Sequence, residues 1–536
     1  MNGTSGIVLR PYQRECIEAV LTARRQGVRR MVVCLPTGAG KTVIFSELAR
    51  LARRQVLVLA HREELLSQAR EKLETALAGR RVVSIERGAE RAPDSAHVLV
   101  CSIRSLHEER LARVLRGRDI GLIIYDECHH AAAEDNQRVL RQLGAFDAGW
   151  VGTLLGFTAT TSRGDGQGLE TVFQKIVYSR LLPEMIQDGY LAPLRGYRIS
   201  TAADLSRLSP GSADFREEEL AEAVDIEERN ALVARSIQEL ARDRRTIAFC
   251  VTVNHARNLS RSLNLLGVPA GVVYGAMPAE ARSEILADFR SGRVQAIANV
   301  AVLTEGFDDP GTSCIAMARP TRSEGLYAQC VGRGTRLHPG KKDCLILDFV
   351  DVSTMSLCGL PSLFGCPRDL DLRGSDVNEA RRVWQHVLLD HPGFELEAGA
   401  LTLPEIQDRA AAFDPLTLAV DAEVRAISAN AWFSLGRHGL GLHFLRAHGT
   451  PSEVTVLRCA GRGKIWEVLI DGQTMARFAE IEEAVAAVDY ELGRLGRDVA
   501  ASAHPAAAWR GDSGADKGAV RKLQQSLWDR IVRKKS

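Results

Sequence analysis

The chain has no CxxC pair. Its 11 cysteines are scattered, and the closest spaced, Cys358 and Cys366, match neither a zinc ribbon nor a zinc knuckle, so reduced and mostly buried thiols are expected. No uncharged apolar run approaches the ~20 residues that span a bilayer. The start MNGTSGIVLRPYQRE lacks the charged, apolar and small-residue regions of a signal peptide. A cytoplasmic location and no membrane partner are the resulting expectations. Charge of one sign is not in excess either: a net charge of +2 and a pI near 8.0 neither demand nor exclude a polyanionic partner, because a binding groove needs local rather than global charge. No solenoid-type repeat is present.

At 536 residues the chain is too long for one core, and roughly three or four folding units are expected. With 45% hydrophobic and 25% charged residues it is neither disordered nor fibrous in composition. From Met31 to about Ile199, short apolar runs rich in β-branched residues alternate with helical periodicity: Met31 to Leu35, Val56 to Ala60, Val98 to Ser102, Leu122 to Tyr125 and Val151 to Thr158. This is the pattern of a doubly wound parallel sheet. Leu65, Ala69, Leu73 and Leu77 recur every four residues and predict a covering helix over His61 to Ala78. A second α/β block has strand-like runs at Thr246 to Val251, Ala270 to Tyr274, Ala296 to Val300, Cys314 to Ala318 and Cys344 to Val350. Between the blocks, Leu208 to Ala213 is rich in turn formers.

The expected fold class is therefore α/β, with two tandem doubly wound parallel-sheet domains and a smaller C-terminal α+β region. The boundaries read as 1–199 and 229–353 for the two domains, with 200–228 connecting them. An accessory region over 354–492, a linker over 493–518 and an amphipathic basic helix over 519–536 would follow. Five of the six tryptophans lie beyond Ser353, where a core role is preferred over nucleic-acid contact.

Pro36-Thr37-Gly38-Ala39-Gly40-Lys41-Thr42 follows a buried strand and precedes a helical pattern. Glycines there let successive backbone N–H groups turn toward one centre, and a helix N-terminus adds partial positive charge, which makes a phosphate cradle. Lys41 would reach the β and γ phosphates and the Thr42 hydroxyl a Mg²⁺ ion. Leu35 stands where the simple P-loop pattern has its first glycine.

Asp126 and Glu127 follow the apolar strand Gly121 to Tyr125, at the carboxyl end where α/β sheets bind ligands. Asp126 would hold the Mg²⁺ shell and Glu127 would orient and deprotonate the attacking water. A zinc site of Cys128, His129 and His130 is disfavoured, because adjacent side chains diverge. In the second block, Gln329-Cys330-Val331-Gly332-Arg333-Gly334-Thr335-Arg336 begins like a helix, and its arginines, three residues apart, are expected on one helical face. If the blocks close over ATP, Arg333 and Arg336 would meet the γ phosphate, an effect worth about a thousandfold or more in rate.

In this order the motifs resemble superfamily 2 helicases and translocases, in the branch of XPB-like repair helicases and restriction-enzyme motor subunits. The resemblance covers most of residues 7–350 and rests on LRPYQ, PTGAGKT, AHREEL, the DECH box, GFTAT, VLTEGFD and QCVGRGTR. It implies two RecA-like domains, with ATP and Mg²⁺ as cofactors. Arg10 and Gln13 would read adenine, Gly306 and Asp308 would contact nucleotide, and Gln329 would join the catalytic set. His129, Thr158 and Thr160 would couple hydrolysis to domain closure, and Arg62, Ser102, Arg163 and Thr304 would touch nucleic acid. Thr161 to Asp165 is similar to the Arg-Glu-Asp element of XPB-like helicases with glycine in its middle position. The implied activity is ATP-dependent movement on, or remodelling of, duplex or branched DNA, with repair or recombination as the implied setting. RNA helicase, restriction-system motor subunit and a non-translocating ATP-gated clamp are the rivals. The C-terminal third shows no acidic-acidic-lysine nuclease constellation.

Overall fold

A computed structural model describes residues 8–494, apart from 61–62, 78–80, 88–89, 160–168, 207, 209–213, 305, 354–356, 391–400, 412–423, 425–426, 429, 431, 435–438, 446–450 and 459–464. The chain divides into two compact units, one up to Arg381 and one from Arg382.

The first unit holds two parallel sheets. The strands of the first are β1 (Arg30–Cys34), β2 (Gln55–Ala60), β3 (Val83–Glu86), β4 (Val98–Ser102), β5 (Ile120–Asp126), β6 (Thr153–Thr158) and β7 (Lys175–Ser179), in the spatial order β3-β4-β2-β5-β6-β1-β7. Its central strands are buried on both faces, which is why they read as unbroken Val, Ile and Leu runs. Helices α1 (Pro11–Arg25), α2 (Lys41–Leu51) and α3 (Glu63–Leu77) belong to this half. Because β5, β6 and β1 are neighbours, the loops after them meet at one edge, with Asp126 paired in register with Phe157 and Cys34 with Thr158.

The second sheet contains β8 (Leu194–Asp204), β9 (Arg245–Phe249), β10 (Ala270–Val273), β11 (Ala296–Asn299), β12 (Thr312–Met317) and β13 (Cys344–Val352), ordered β10-β11-β9-β12-β13-β8. Here the expected boundaries need correction. Residues 194–199 belong to β8, which pairs in parallel with β13 from Leu194 to Asp204, so the crossing between sheets lies before Leu194 and not over 200–228. The charged stretch beyond it forms two helices, Glu217–Val224 and Glu227–Leu240. At the other end, residues 357–381 stay with the second sheet instead of starting an accessory region. Leu360 donates its N–H to Asp348 Oδ2 at 2.8 Å, Cys358 donates to the Thr321 carbonyl at 2.9 Å and Gly374 to that of Gly196 at 2.7 Å.

The second unit, taken by itself, carries a five-stranded antiparallel sheet, Phe433–Ser434, Gly439–Leu445, Pro451–Arg458, Trp466–Ile470 and Gln473–Phe478, followed by the helix Ile481–Arg494. Val485, Val488 and Leu492 pack with Leu442, Phe444, Val454 and Val456, and Trp432 lies in this core with its indole N–H donated to Ser428 Oγ at 2.8 Å. The linker and basic helix expected beyond 494 lie outside the described residues. Among the described residues, no helix is long and apolar enough to cross a membrane, and every cysteine but the half-buried Cys358 is buried.

Candidate functional site

The loop after β1 is fixed at its start by the Leu35 N–H, which donates to the Thr158 carbonyl at 2.9 Å. Gly38 and Gly40 then take left-handed backbone conformations, with φ of +86° and +69°. A Cβ on Gly40 would sit 2.9 Å from Gln13 Nε2 and push that side chain aside, but it is the positive φ that favours glycine here. The loop is braced from α1: the Tyr12 hydroxyl donates to the Ala39 carbonyl at 2.6 Å, and Gln13 Oε1 accepts the Arg10 N–H at 2.9 Å. Pro36 and Ala39 are buried and serve the loop's shape, whereas Thr37, Gly38, Gly40, Lys41 and Thr42 line a cleft of about 280 Å³.

At the end of β5, Glu127 also adopts a left-handed conformation, φ +51°, which costs a non-glycine residue about 1–2 kcal/mol. The turn aims its carboxylate at the phosphate loop, where Lys41 Nζ lies 3.1 Å from Glu127 Oε1. Burial works against the Lys41 ammonium, but Glu127 and then Asp126 outweigh it and hold its pKa above the ordinary lysine value. Asp126 Oδ1 accepts the Glu127 N–H at 3.1 Å. His129 Nδ1 stands 3.5 Å from Glu127 Oε2 and 3.3 Å from Thr158 Oγ1, so it joins the acid pair to the end of β6.

The second sheet contributes the opposite wall. The helix Glu324–Gly332 ends before either arginine is reached, so Arg333 and Arg336 do not share a helical face as expected. Close packing requires glycine at its end and just beyond: a Cβ on Gly334 would lie 2.2 Å from Cys344 Sγ, and one on Gly332 2.5 Å from Thr37 Cβ. The arginines instead occupy a turn pressed against the phosphate loop, where Thr335 Oγ1 donates to the Thr37 carbonyl at 3.3 Å. Arg333 Nη1 donates to the Phe307 carbonyl at 3.0 Å, and Arg336 Nε pairs with Asp308 Oδ1 at 2.9 Å. Burial would raise the Asp308 pKa, but Arg336 and Lys72 hold it below the carboxylate norm. Burial also depresses the Arg336 pKa, with Asp308 opposing.

A polyphosphate fits these residues. Arg336 Nη1 and Thr37 Oγ1 are buried with no hydrogen-bond partner among the described residues, both on cleft-lining side chains, beside two left-handed glycines. A triphosphate satisfies such groups with oxygen acceptors. The donor set also suits Mg²⁺, since Thr42 and Asp126 offer only oxygen to the same cleft.

Arg10, Lys41, Thr42, Asp126, Glu127, Gly306, Asp308, Arg333 and Arg336 thus line one cleft with the phosphate loop. Gln329 is buried in its helix and does not line that cleft. Ser102 and Thr304 are 4% and 5% exposed, and Thr304 donates its hydroxyl to the Ala301 carbonyl. Arg62, Thr160 and Arg163 lie outside the described residues.

Two cleft residues, Lys72 and Tyr190, and one that braces the cleft wall, Lys341, are absent from the sequence expectations. Lys72, on α3, pairs across the cleft with Asp308 Oδ2 at 3.2 Å. Lys341 holds the arginine turn by donating to the Arg336 carbonyl at 2.9 Å. Tyr190 accepts Arg10 Nη1 at its carbonyl, 3.1 Å away, with the guanidinium 6.0 Å above its ring. Only the spacing of α3 offered a signal, and it marked that helix's buried side.

Two family models match. Residues 6–163 fit the type III restriction enzyme res subunit and residues 228–338 the helicase conserved C-terminal domain. The chain belongs to superfamily 2 of the helicases. Within this superfamily it is 35% identical over 369 residues to the "Putative mitochondrial ATP-dependent helicase irc3" of Schizosaccharomyces pombe, an alignment covering 67% of this chain and 60% of that one. It is 32% identical to the "Putative ATP-dependent helicase IRC3" of Saccharomyces cerevisiae, over 68% and 55% of the two chains. It is 24% identical to the "DNA 3'-5' translocase XPB2" of Sulfurisphaera tokodaii, over 65% and 82%. The chain therefore spans somewhat over half the length of the two IRC3 relatives. Among solved structures, a fragment of a type I restriction-enzyme HsdR subunit from Vibrio vulnificus superposes with a TM-score of 0.51 at 24% identity, covering 65% of each chain, which shows the shared RecA-like fold.

Proposed function

We propose that this helicase-family chain is an ATP-driven nucleic-acid motor that hydrolyses ATP in the cleft between its two parallel sheets and moves on, or remodels, duplex or branched DNA. The observation carrying this reading is the meeting of three chemistries in one cleft: the left-handed glycines and Lys41 after β1, the Asp126–Glu127 pair after β5, and Arg333 and Arg336 from the second sheet.

Each group then has a separable task. The loop N–H groups and Lys41 bind and orient the phosphates. Glu127, 3.1 Å from Lys41, accepts the proton of the attacking water. Arg333 and Arg336 face the charge that develops on the transferred phosphoryl group. Mg²⁺ held by Thr42 and Asp126 would neutralise phosphate charge. Thr335 against Thr37 and Asp308 against Lys72 join the two halves, and opening and closing the cleft would break and remake them and shift one half along a bound strand.

The preference for DNA over RNA is supported by the name of the XPB2 relative, a DNA translocase. ATPase rates measured side by side with single-stranded DNA, duplex DNA, branched DNA and RNA test it. The largest stimulation is expected with duplex or branched DNA. Stimulation by RNA alone would replace the DNA reading, and a rate unaffected by all four would refute the motor.

A further inference from the structure

The two sheets are joined by a very short piece of chain. After the helix Leu182–Gln187, Gly189 turns with φ +72°, and Tyr190, Leu191, Ala192 and Pro193 lead directly into β8 at Leu194. Such a crossing could run over the surface. Instead each of its first three residues touches a different part of the nucleotide cleft.

Tyr190 lines the cleft beside Arg10, its ring centroid 4.6 Å from that of Tyr12, the residue that braces Ala39 of the phosphate loop. Leu191 is buried, and its Cδ2 lies 3.3 Å from where a Cβ on Gly38 would be. Ala192 donates its N–H to the Thr335 carbonyl at 2.7 Å, one residue before Arg336. The near end is pinned as well, because Tyr190 and Leu191 both donate N–H groups to the Met185 carbonyl, at 2.9 and 3.1 Å. The crossing is thus a short strap, fixed to the first half at Met185 and to the arginine turn at Thr335, with an aromatic ring facing the cleft.

We infer that residues 190–192 sense the base: a purine ring stacked at Tyr190 holds the strap in place, and through Ala192 and Thr335 the strap sets Arg336 for phosphoryl transfer. The inference rests on the nucleotide reading of the cleft given above. Tyr190 is a positioning residue here, since its effect on the transferred group passes through Arg336. A ring that only added affinity would change KM and leave kcat alone, whereas a ring that sets the arginine changes both.

A double-mutant cycle tests this on the full chain, with Tyr190→Ala, Arg336→Ala and the combination assayed for ATP turnover. Tyr190→Ala is expected to raise KM and lower kcat by about tenfold, and Tyr190→Phe to restore both, because stacking needs the ring and not the hydroxyl. In the Arg336→Ala background the Tyr190→Ala effect on kcat should shrink to under about threefold. An effect on KM alone, or kcat losses that multiply independently, would overturn the strap. If Tyr190→Ala loses the parent's cooperative melt, Tyr190→Leu, which keeps apolar bulk against Tyr12, takes its place in the same cycle. Absence of ATP turnover in the parent chain would instead overturn the proposed function, so the two failures are distinguishable.

Discussion

Replacing Glu127 with Gln isolates the chemical step. The side chain keeps its size, and the amide oxygen still accepts from Lys41, but the charge and the proton acceptor are gone. Lys41 and Glu127 are only 11% and 8% exposed and 3.1 Å apart. Removing one partner of a buried pair costs about 3–5 kcal/mol when nothing compensates. Asp126 remains beside Lys41, so a loss of roughly 1–3 kcal/mol is expected for the unliganded protein. ATP should return most of it, since saturation at about 100 Kd contributes about 2.7 kcal/mol. Turnover should fall by about 10²–10⁴, the range for a lost general base. Thermal shift with and without MgATP, paired with a steady-state ATPase assay, reads both quantities. A variant with parental turnover, or one whose melt ATP no longer raises, would refute the assignment of Glu127.

Other substitutions probe other parts of the cleft. Gly40→Ala should cost about 1–2 kcal/mol for its left-handed backbone and displace Gln13, weakening ATP binding; a nucleotide titration showing parental affinity would contradict the cradle. Arg336→Ala should keep nucleotide affinity better than Lys41→Ala while losing turnover by about a thousandfold, and equal losses of binding would count against the separate roles. Burial pushes the Asp348 carboxyl up to about 6, although the Tyr327 hydroxyl and the Leu360 N–H oppose it. Its folded pKa thus exceeds the unfolded value of 3.8, so its contribution favours the fold at low pH and is lost as pH rises from about 4 to 6. Relative to its own value at pH 4, the melting temperature of Asp348→Asn at pH 6 should therefore be higher than the parent's, and superimposable slopes would refute this.

Much of the fold was legible because buried parallel strands write themselves as continuous apolar runs. Val98–Ser102 matches its run residue for residue, and Val32, Leu57 and Ile123 all lie at zero or one per cent exposure. β8 was not legible for the converse reason: it is an edge strand with exposed and half-buried residues such as Arg195, Tyr197 and Arg198, and it reads as a connector. In the second unit, Gly439–Leu445 carries two glycines and Gln473–Phe478 is largely exposed, so neither has a strand's usual signature. In the site, the phosphate loop and acid pair are contiguous in sequence and could be read directly. The arginine turn reads as a helix on the spacing of its arginines, whereas the packing that holds it as a turn, Thr335 against Thr37, joins residues far apart in sequence. Tyr190 lay beyond reach because Arg10, its partner, is 180 residues away.

Displacement of a third strand from a DNA triplex by the chain moving along the underlying duplex measures the proposed motion directly. ATP-dependent displacement is predicted for the parent, with loss in Glu127→Gln and Arg336→Ala. Full ATP turnover on that duplex without any displacement would contradict the motor and leave an ATP-gated clamp.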